Sequence, residues 1–469
     1  WACVSAGAHE AIFIMTVLAF LVALAVLIAV HEYGHYRMAV ACDVKVLQFS
    51  IGLGRPIWRW RSSRPRPGQD TEFVVGWIPL GGYVRMLDET ESDVPAHERE
   101  RAFNRQSLWR RSAIVAAGPM ANLLLAFVLL WVLNVWGVSM PQAILAKPVA
   151  ASIADQAGLR SGDMVLSVAN QGGTPQDIYS MPDLNWALMQ NVGAVLDLLV
   201  QSRDSGKQRQ VQLDLTQAHT DTSDAQWLRS LGLQGAWTAP VVTEVVVASV
   251  AQSAGIKRGD RILRVDGKVP EDASEVRQLI RQAGQNDPPK AQIWEVQRRG
   301  DSALLIEVKP ERMQEGQAWV GRIGVRLGEP PAQTLVRHGP VQAAQLAVQR
   351  CWELSVTTLH IFARMLVGQA SWSNLSGPVT MAEQAGQSAQ QGWTTFLAFL
   401  AFVSVGLAVL NLLPIPILDG GHLMCYLWEA VTGSPPAKAW MAGLQKVGLA
   451  AVLSLMAVAL YNDVARWLF

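Results

Sequence analysis

Two histidines separated by three residues mark the clearest chemistry in this sequence. His31, Glu32, Tyr33, Gly34 and His35 form an H-E-x-x-H pattern. On a helix, positions i and i+4 lie on one face about one turn apart, so both imidazoles can reach the same metal ion. Zinc held in this way lowers the pKa of a bound water towards about 7, and Glu32 can take the proton as the water attacks a carbonyl. The pattern predicts a zinc hydrolase.

A hydrolytic zinc site also needs a third protein ligand and an open position. Asp419 is the first charged residue after the uncharged stretch 384–418. Pro414 and Pro416 interrupt the helix just before it, which frees the chain to aim a carboxylate at the metal. His422 is a rival ligand by its chemistry. The sequence therefore favours Asp419 and leaves His422 as the alternative.

The composition indicates a membrane protein. Half of the 469 residues are hydrophobic and only 16% are charged, against roughly 25% in soluble domains. The net charge of +1 gives no reason to expect a nucleic-acid partner. The four cysteines show no C-x-x-C spacing, so neither a disulfide framework nor a cysteine-rich zinc site is expected.

Four apolar stretches are long enough to cross a bilayer, which takes about 20 helical residues. The predicted spans are 11–40, 112–138, 394–418 and 443–462, and the last would require Lys446 to extend to the membrane surface. A cleavable signal peptide is the alternative for the first stretch, but that run leads directly into the H-E-x-x-H pattern. Because histidine and glutamate are costly in lipid, their position favours a functional role.

The loop 41–111 between the first two spans predicts the orientation. It carries twelve Lys or Arg residues and should therefore stay in the cytoplasm. Both termini and the segment 140–383 would then lie outside, which is the periplasm in a Gram-negative cell. Within the loop, the apolar stretch 72–87 has Gly81 and Gly82 near its middle and predicts two short strands around a turn.

The outer segment contains an internal repeat. Residues 149–170 and 246–267 are identical at ten of 22 positions without a gap. Each copy reads as strand, short helix, Gly-Asp turn and strand. The A-G-[LI]-x-x-G-D signature resembles the PDZ domain, which implies binding of extended peptides by strand addition. The predicted domains are 143–235 and 236–330, and two modules that only space or shield something are the alternative.

A helix with apolar residues mainly three, four and seven apart is predicted over 339–369. Its charged residues argue against a fifth span. It either lies flat on the outer leaflet or packs against the two outer domains.

Together these motifs resemble the site-2 protease family of intramembrane metalloproteases. The resemblance rests on H-E-x-x-H in a first span and on N-x-x-P-x-P-x-L-D-G from Asn411 in a later one. It extends to G-P-M-A-N at 118–122, F-S-I-G-L-G at 49–54 and L-S-G-P-V at 375–379, and the tandem PDZ-like domains are similar to one bacterial branch. The implied fold is a multi-pass α-helical membrane protein with four transmembrane helices and two inserted periplasmic PDZ-like α+β domains.

The resemblance also implies roles for residues. His31, His35 and Asp419 would bind zinc, and Glu32 would be the catalytic base. Asn411 would hold or unwind substrate, although an interhelical hydrogen bond is its alternative role.

Two further groups are expected to help in substrate binding. Pro414 and Pro416 would do so by breaking the helix, and Gly81 and Gly82 by their place in a re-entrant hairpin. A plain cytoplasmic hairpin is the alternative. The implied substrate is a single-pass membrane protein of the anti-sigma-factor type, already shortened outside the inner membrane, with remnant signal peptides as further candidates.

Two other classes fit part of the sequence. A PDZ-based peptide sensor without catalysis would show a degraded H-E-x-x-H pattern, and a metal transporter would spread polar residues through its spans. Neither feature is present. The outer domains would act as a size filter above the active site, and capture of a newly cut C-terminus is the competing expectation.

Overall fold

The computed structural model describes residues 2–63, 68–90, 93–170, 172–203, 205–216, 227–228, 230–298, 302–315, 318–367 and 377–468. The chain divides into two units, Trp1–Gly137 with Arg337–Phe469 and Val138–Val336. Arg64 and Arg66 of the basic loop and Leu375 and Ser376 of the L-S-G-P-V motif lie outside the described residues.

Long uncharged runs form long helices because a helix satisfies the N–H and C=O groups of its own backbone. In chain order, the described α-helices are α1 (Ala2–Ala41), α2 (Leu108–Trp136), α3 (Ile153–Gln156), α4 (Met181–Gln190), α5 (Val250–Ser253), α6 (Ala273–Ala283), α7 (Pro340–Leu366), α8 (Pro378–Gln391), α9 (Trp393–Leu412), α10 (Asp419–Thr432) and α11 (Lys438–Leu468).

The strands fall mostly in the middle of the chain. They are β1 (Val46–Arg61), β2 (Glu72–Met86), β3 (Val138–Pro141), β4 (Asp163–Asn170), β5 (Gln176–Asp177), β6 (Val195–Ser202), β7 (Gln208–Asp214), β8 (Val242–Val245), β9 (Arg261–Val265), β10 (Gln292–Gln297), β11 (Leu304–Val308), β12 (Glu311–Glu315), β13 (Ala318–Arg322), β14 (Val325–Leu327) and β15 (Gln333–Val336).

Four of the described helices are long and apolar enough to cross a membrane: Ile12–Ala41, Leu108–Trp136, Trp393–Leu412 and Gly443–Val464. The third of these helices ends at Leu412, whereas the sequence predicted a span that continues to residue 418. Leu413 takes an extended backbone conformation, since the residue before a proline is disfavoured in the α region. The six residues to Leu418 are therefore free to turn the chain into α10.

The hairpin within the basic loop differs from the expectation. Residues 72–87 do not form two strands of their own: β2 is one strand, and it pairs antiparallel with β1. Phe49 is matched with both Val84 and Phe73, so the first part of β1 contacts both halves of β2. An alternating pattern shows which face of a strand is apolar but does not identify its partner, which is why the sequence suggested the wrong pairing.

The helix α8 begins against the last helix of the chain. Gly377 precedes α8 and has no side chain to cap it. Asp463 of α11, which is 3% exposed, accepts hydrogen bonds from the backbone N–H groups of Gly377, Val379 and Thr380 at 3.1, 2.9 and 3.2 Å. A Cβ on Gly377 would lie 2.3 Å from the Asp463 carboxylate. The described part of the L-S-G-P-V motif thus anchors α11.

Replacing Asp463 by alanine should destabilise the protein by about 1–3 kcal/mol, because three N–H groups lose their acceptor. The thermal unfolding midpoint in detergent should fall accordingly, and Asp463→Asn, which retains one acceptor oxygen, should fall less. An unchanged midpoint for Asp463→Ala would contradict this cap.

The helix α7 packs along two of the predicted spans. Ala343 and Ala347 are fully buried, and Cys351 and Leu354 contact an apolar cluster formed by α2 and α9. The indole N–H of Trp131 in α2 donates to the Pro340 carbonyl at 2.9 Å. This amphipathic helix therefore packs against α2 and α9, a placement that the sequence did not suggest.

The unit Val138–Val336 contains two hydrophobic cores. The first draws its buried residues from 143–233 and the second from 242–327, which lie within the two predicted domain ranges. The larger sheet has the order β5-β4-β6-β7, and a second sheet has the order β11-β10-β9. Each core thus has its own strands, and β3 pairs with β15 where the chain enters and leaves the unit.

The Gly-Asp turns of the two segments are built alike. Asp163 accepts the N–H of Arg160 and pairs with Arg209, while Asp260 accepts the N–H of Lys257 and pairs with Arg298. Burial alone would raise the pKa of Asp260, but these hydrogen bonds hold it below its ordinary value. Asp260 therefore stabilises its turn as a carboxylate, and Asp163 makes the equivalent contacts in the first half.

Candidate active site

Three side chains from two helices converge at one point. The Nε2 atoms of His31 and His35 on α1 lie 3.2 Å apart. One carboxylate oxygen of Asp419, the first residue of α10, lies 3.2 Å from Nε2 of His31 and 3.5 Å from Nε2 of His35. The three ligand atoms lie within 4.8 Å of one another. Two imidazoles and one carboxylate are a typical zinc ligand set.

The glycines after Asp419 explain how its carboxylate is held. A Cβ on Gly420 would lie 2.2 Å from the Leu413 carbonyl oxygen, and one on Gly421 would lie 2.3 Å from the Ile415 carbonyl oxygen. Only glycine permits so close an approach of the preceding loop to the start of α10. The loop that follows α9 therefore packs against the first turn of α10 and holds Asp419 in position.

The residues around the three ligands leave room for an ion. A Cβ on Gly118 of α2 would lie 2.3 Å from Nε2 of His35 and 2.9 Å from Nε2 of His31. The absence of a side chain at this position keeps the space in front of both nitrogens open. The donor set and this space together fit zinc.

Gly118→Ala should sharply weaken zinc binding, because the added methyl group occupies the space in front of the two imidazoles. Gly406→Ala in α9 is the matched control, since a Cβ there meets no atom within 4 Å. Both substitutions favour a helix, so a difference between them reports sterics at the site. Zinc content after dialysis against a chelator measures the effect, and equal zinc in the two variants would contradict it.

The Nδ1 atoms of both histidines, which are not part of the ligand cluster, face α2. Nδ1 of His35 lies 2.8 Å from the Ile114 carbonyl oxygen, to which it donates. Nδ1 of His31 lies 3.3 Å from the side-chain amide nitrogen of Asn122, which is fully buried. The Asn122 amide oxygen has no hydrogen-bond partner among the described residues. A half-turn of the amide places that oxygen as an acceptor for Nδ1–H and leaves Nε2 of His31 free for a metal.

Asn122→Ala should lower zinc affinity by about 10–100-fold, the usual cost of losing an outer partner of a ligating histidine. Asn122→Asp, which keeps an acceptor oxygen, should recover much of that affinity. Asn134→Ala, near the other end of α2, controls for removal of an amide from this helix. Competition with a chromophoric chelator gives the affinities, and wild-type zinc binding by Asn122→Ala would argue against this role.

A cavity of about 610 Å³ opens onto the three ligands. Glu32, Gly81, Gly82, Asn411 and His422 all line it. A Cβ on Gly82 would lie 2.8 Å from Cγ of Glu32, so β2 passes directly beside that glutamate. The structure therefore brings the predicted base, the two glycines and the predicted substrate-binding asparagine to one cavity.

The two prolines predicted to help bind substrate do not line this cavity. Pro414 is exposed, and Pro416 packs against Gly448 of α11. Their position is consistent with a backbone effect, the early end of α9. His422 lines the cavity but is not part of the ligand cluster, so the geometry favours Asp419 as the third ligand.

Some residues of the site were not singled out in the sequence analysis. Ile114 contributes only its backbone carbonyl, which no sequence pattern identifies. Gly118 and Asn122 belong to the G-P-M-A-N motif, but neither residue was assigned a role in the sequence analysis. Tyr426 lies two turns after Asp419 on the same face of α10 and also lines the cavity. Burial raises the pKa of Tyr426 to about 12.

The chain is similar to known proteins over nearly its whole length. The profile of peptidase family M50 matches residues 19–455. A protein of Ralstonia nicotianae designated a zinc metalloprotease is 39% identical over 463 residues, covering 96% of this chain and 98% of that protein. The regulator of sigma-E protease RseP of Escherichia coli is 34% identical over 464 residues, covering 97% of this chain and 99% of that protein.

The fold and the comparisons together define a zinc metalloprotease with several membrane spans. The chain belongs to peptidase family M50, within the site-2 protease family, and RseP is among its relatives.

Proposed function

We propose that this protein cleaves the membrane-spanning segment of single-pass membrane proteins, using His31, His35 and Asp419 to hold zinc and Glu32 as the base. The observation that carries the proposal is the cluster of three ligands at the end of an uncharged span, with Glu32 lining the same cavity. When bound, zinc would polarise the scissile carbonyl and lower the pKa of water. Glu32 would take the proton and later return it to the leaving amine.

The substrate must be extended at the site, since a helix hides its peptide bonds. The segment 82–86 of β2 pairs with β1 along one edge, and Gly81, Gly82, Tyr83, Val84 and Met86 line the cavity. An unwound substrate can pair with β2 there and regain backbone hydrogen bonds. Asn411, which lines the same cavity, would hold the substrate there.

The cellular setting follows from the relatives and the charge of the loops. We propose the inner membrane of a bacterium, with the unit Val138–Val336 in the periplasm and the active site towards the cytoplasm. The sigma-E name of the Escherichia coli relative supports an anti-sigma factor, cut first outside the membrane, as substrate, with remnant signal peptides as further candidates.

The purified protein in detergent micelles should cut a single-span test substrate within its span, and mass spectrometry should locate the new termini. Chelation should stop the reaction and zinc should restore it. Cleavage confined to soluble segments, or activity that survives chelation, would refute the proposal.

The two halves of the unit Val138–Val336 are proposed to be PDZ-like domains that restrict large substrates. Their separate cores and matching Gly-Asp turns support this. Deleting residues 143–330 should allow cleavage of a substrate that still carries its folded outer domain. If such a substrate stays uncut, the domains do not act as a size filter.

A further inference from the structure

Each half of the unit Val138–Val336 ends in a segment that pairs with the start of the same half, in the first half through a single bridge and in the second through β14. Leu145 pairs with Ala236 in the first half, and Val242 pairs with Leu327 in the second. In the first, the N–H of Trp237 donates to the Ile144 carbonyl, and in the second the N–H of Gly328 donates to the Val241 carbonyl. Ala236 and Leu327 thus occupy the same place in the two halves, and their own C=O groups point to the opposite edge.

A helix faces that edge in each half. Ser180 caps α4 through the N–H of Asp183, and Asp272 caps α6 through the N–H of Glu275. Counted from these caps, the fifth residue is Asn185 in α4 and Arg277 in α6. The two halves therefore carry different residues, Asn185 and Arg277, at this equivalent helix position, and each lies beside the final segment of its own half.

In the second half, the side chain at this position binds the edge of the strand. The guanidinium of Arg277 donates to the Leu327 carbonyl at 3.0 Å. A peptide that added to this edge would need the same carbonyl, so it would have to displace an arginine already bound there.

In the first half, the same edge is open. No hydrogen-bond partner for the backbone groups of Gln234 or for the Ala236 carbonyl occurs in the part of the chain that the structure describes. A cavity of about 190 Å³ lies beside this edge, and Asn185 lines it together with Leu145, Met181, Leu184 and Leu233. Its walls are mostly apolar, which suits a single aliphatic side chain.

We propose that the first half binds an extended peptide segment with one aliphatic side chain, by strand addition along Gln234–Ala236, and that Arg277 excludes such a peptide from the second half. The inference rests on the proposed PDZ-like character of the unit. It makes the duplicated modules unequal: one binds a peptide and the other is closed by its own side chain.

The test uses the full-length protein in detergent and a dye-labelled ten-residue peptide of alternating threonine and valine with a central leucine. Fluorescence polarisation should show one binding site per chain. Asn185→Arg should weaken binding at least about tenfold, because the arginine can cover the free carbonyl as Arg277 does in the second half. Gln190→Arg, which adds the same charge at an exposed position of α4, should bind like the wild type. Arg277→Asn should add a second site.

Two further measurements keep the test independent of folding and of proteolysis. Methylating the backbone nitrogens of the peptide on one edge should abolish binding to the wild-type chain, since it removes donors without changing side chains. A short single-span substrate should still be cut by Asn185→Arg. Two peptides bound per wild-type chain, wild-type affinity in Asn185→Arg, or no binding at all would overturn this inference, whereas failure to cut any span would overturn the proposed function instead.

Discussion

Glu32→Gln should abolish proteolysis and leave zinc bound. The amide cannot accept a proton, and a general base contributes about 10²–10⁴-fold to rate, so cleavage should fall by at least that factor. Zinc should remain because Glu32 is outside the three-ligand cluster, although it lines the same cavity. The measurements are the single-turnover rate on a short span substrate and the zinc content of the same preparation.

Glu353→Gln is the matched control for removal of a negative charge. Glu353 lies on α7 in an ion pair with the exposed Arg350, and such pairs contribute little. The Glu353→Gln variant should therefore cleave the substrate at the wild-type rate. Near-normal cleavage by Glu32→Gln would remove Glu32 from the mechanism, and loss of zinc from that variant would make it a ligand.

Asp419→Ala should lose zinc as well as activity, because only His31 and His35 remain to hold the ion. The loss of affinity should exceed the roughly 10–100-fold cost of removing an outer partner such as Asn122. Titration with a chelator measures it directly, without reference to the rate of cleavage.

His422→Ala distinguishes the two candidate third ligands. His422 lies one turn after Asp419 on α10 and faces the same cavity, but it is absent from the ligand cluster. This variant should keep its zinc. Full zinc content in Asp419→Ala combined with loss in His422→Ala would reverse the assignment.

Local sequence was sufficient for the parts of the site that depend on one helix. The spacing of His31 and His35 places both on one face whatever surrounds them, since helical geometry repeats every 3.6 residues. The uncharged runs likewise indicated four spans, because the cost of polar groups in lipid allows few other interpretations. Zinc binding, insertion in the membrane and the hydrolase class could therefore be predicted from short-range patterns.

Tertiary structure decided which distant residues complete the site. Asp419 reaches the histidines because α9 ends at Leu412 and two glycines let the following loop close behind α10. Asn122, Ile114 and Gly118 face the imidazoles only because α2 packs against α1, a contact that no periodicity specifies. The pairing of β2 with β1, and the different outer edges of the two duplicated halves, also depend on which segments meet in space. A pattern in sequence identifies the apolar face of an element, whereas its neighbour is selected by packing over the whole chain.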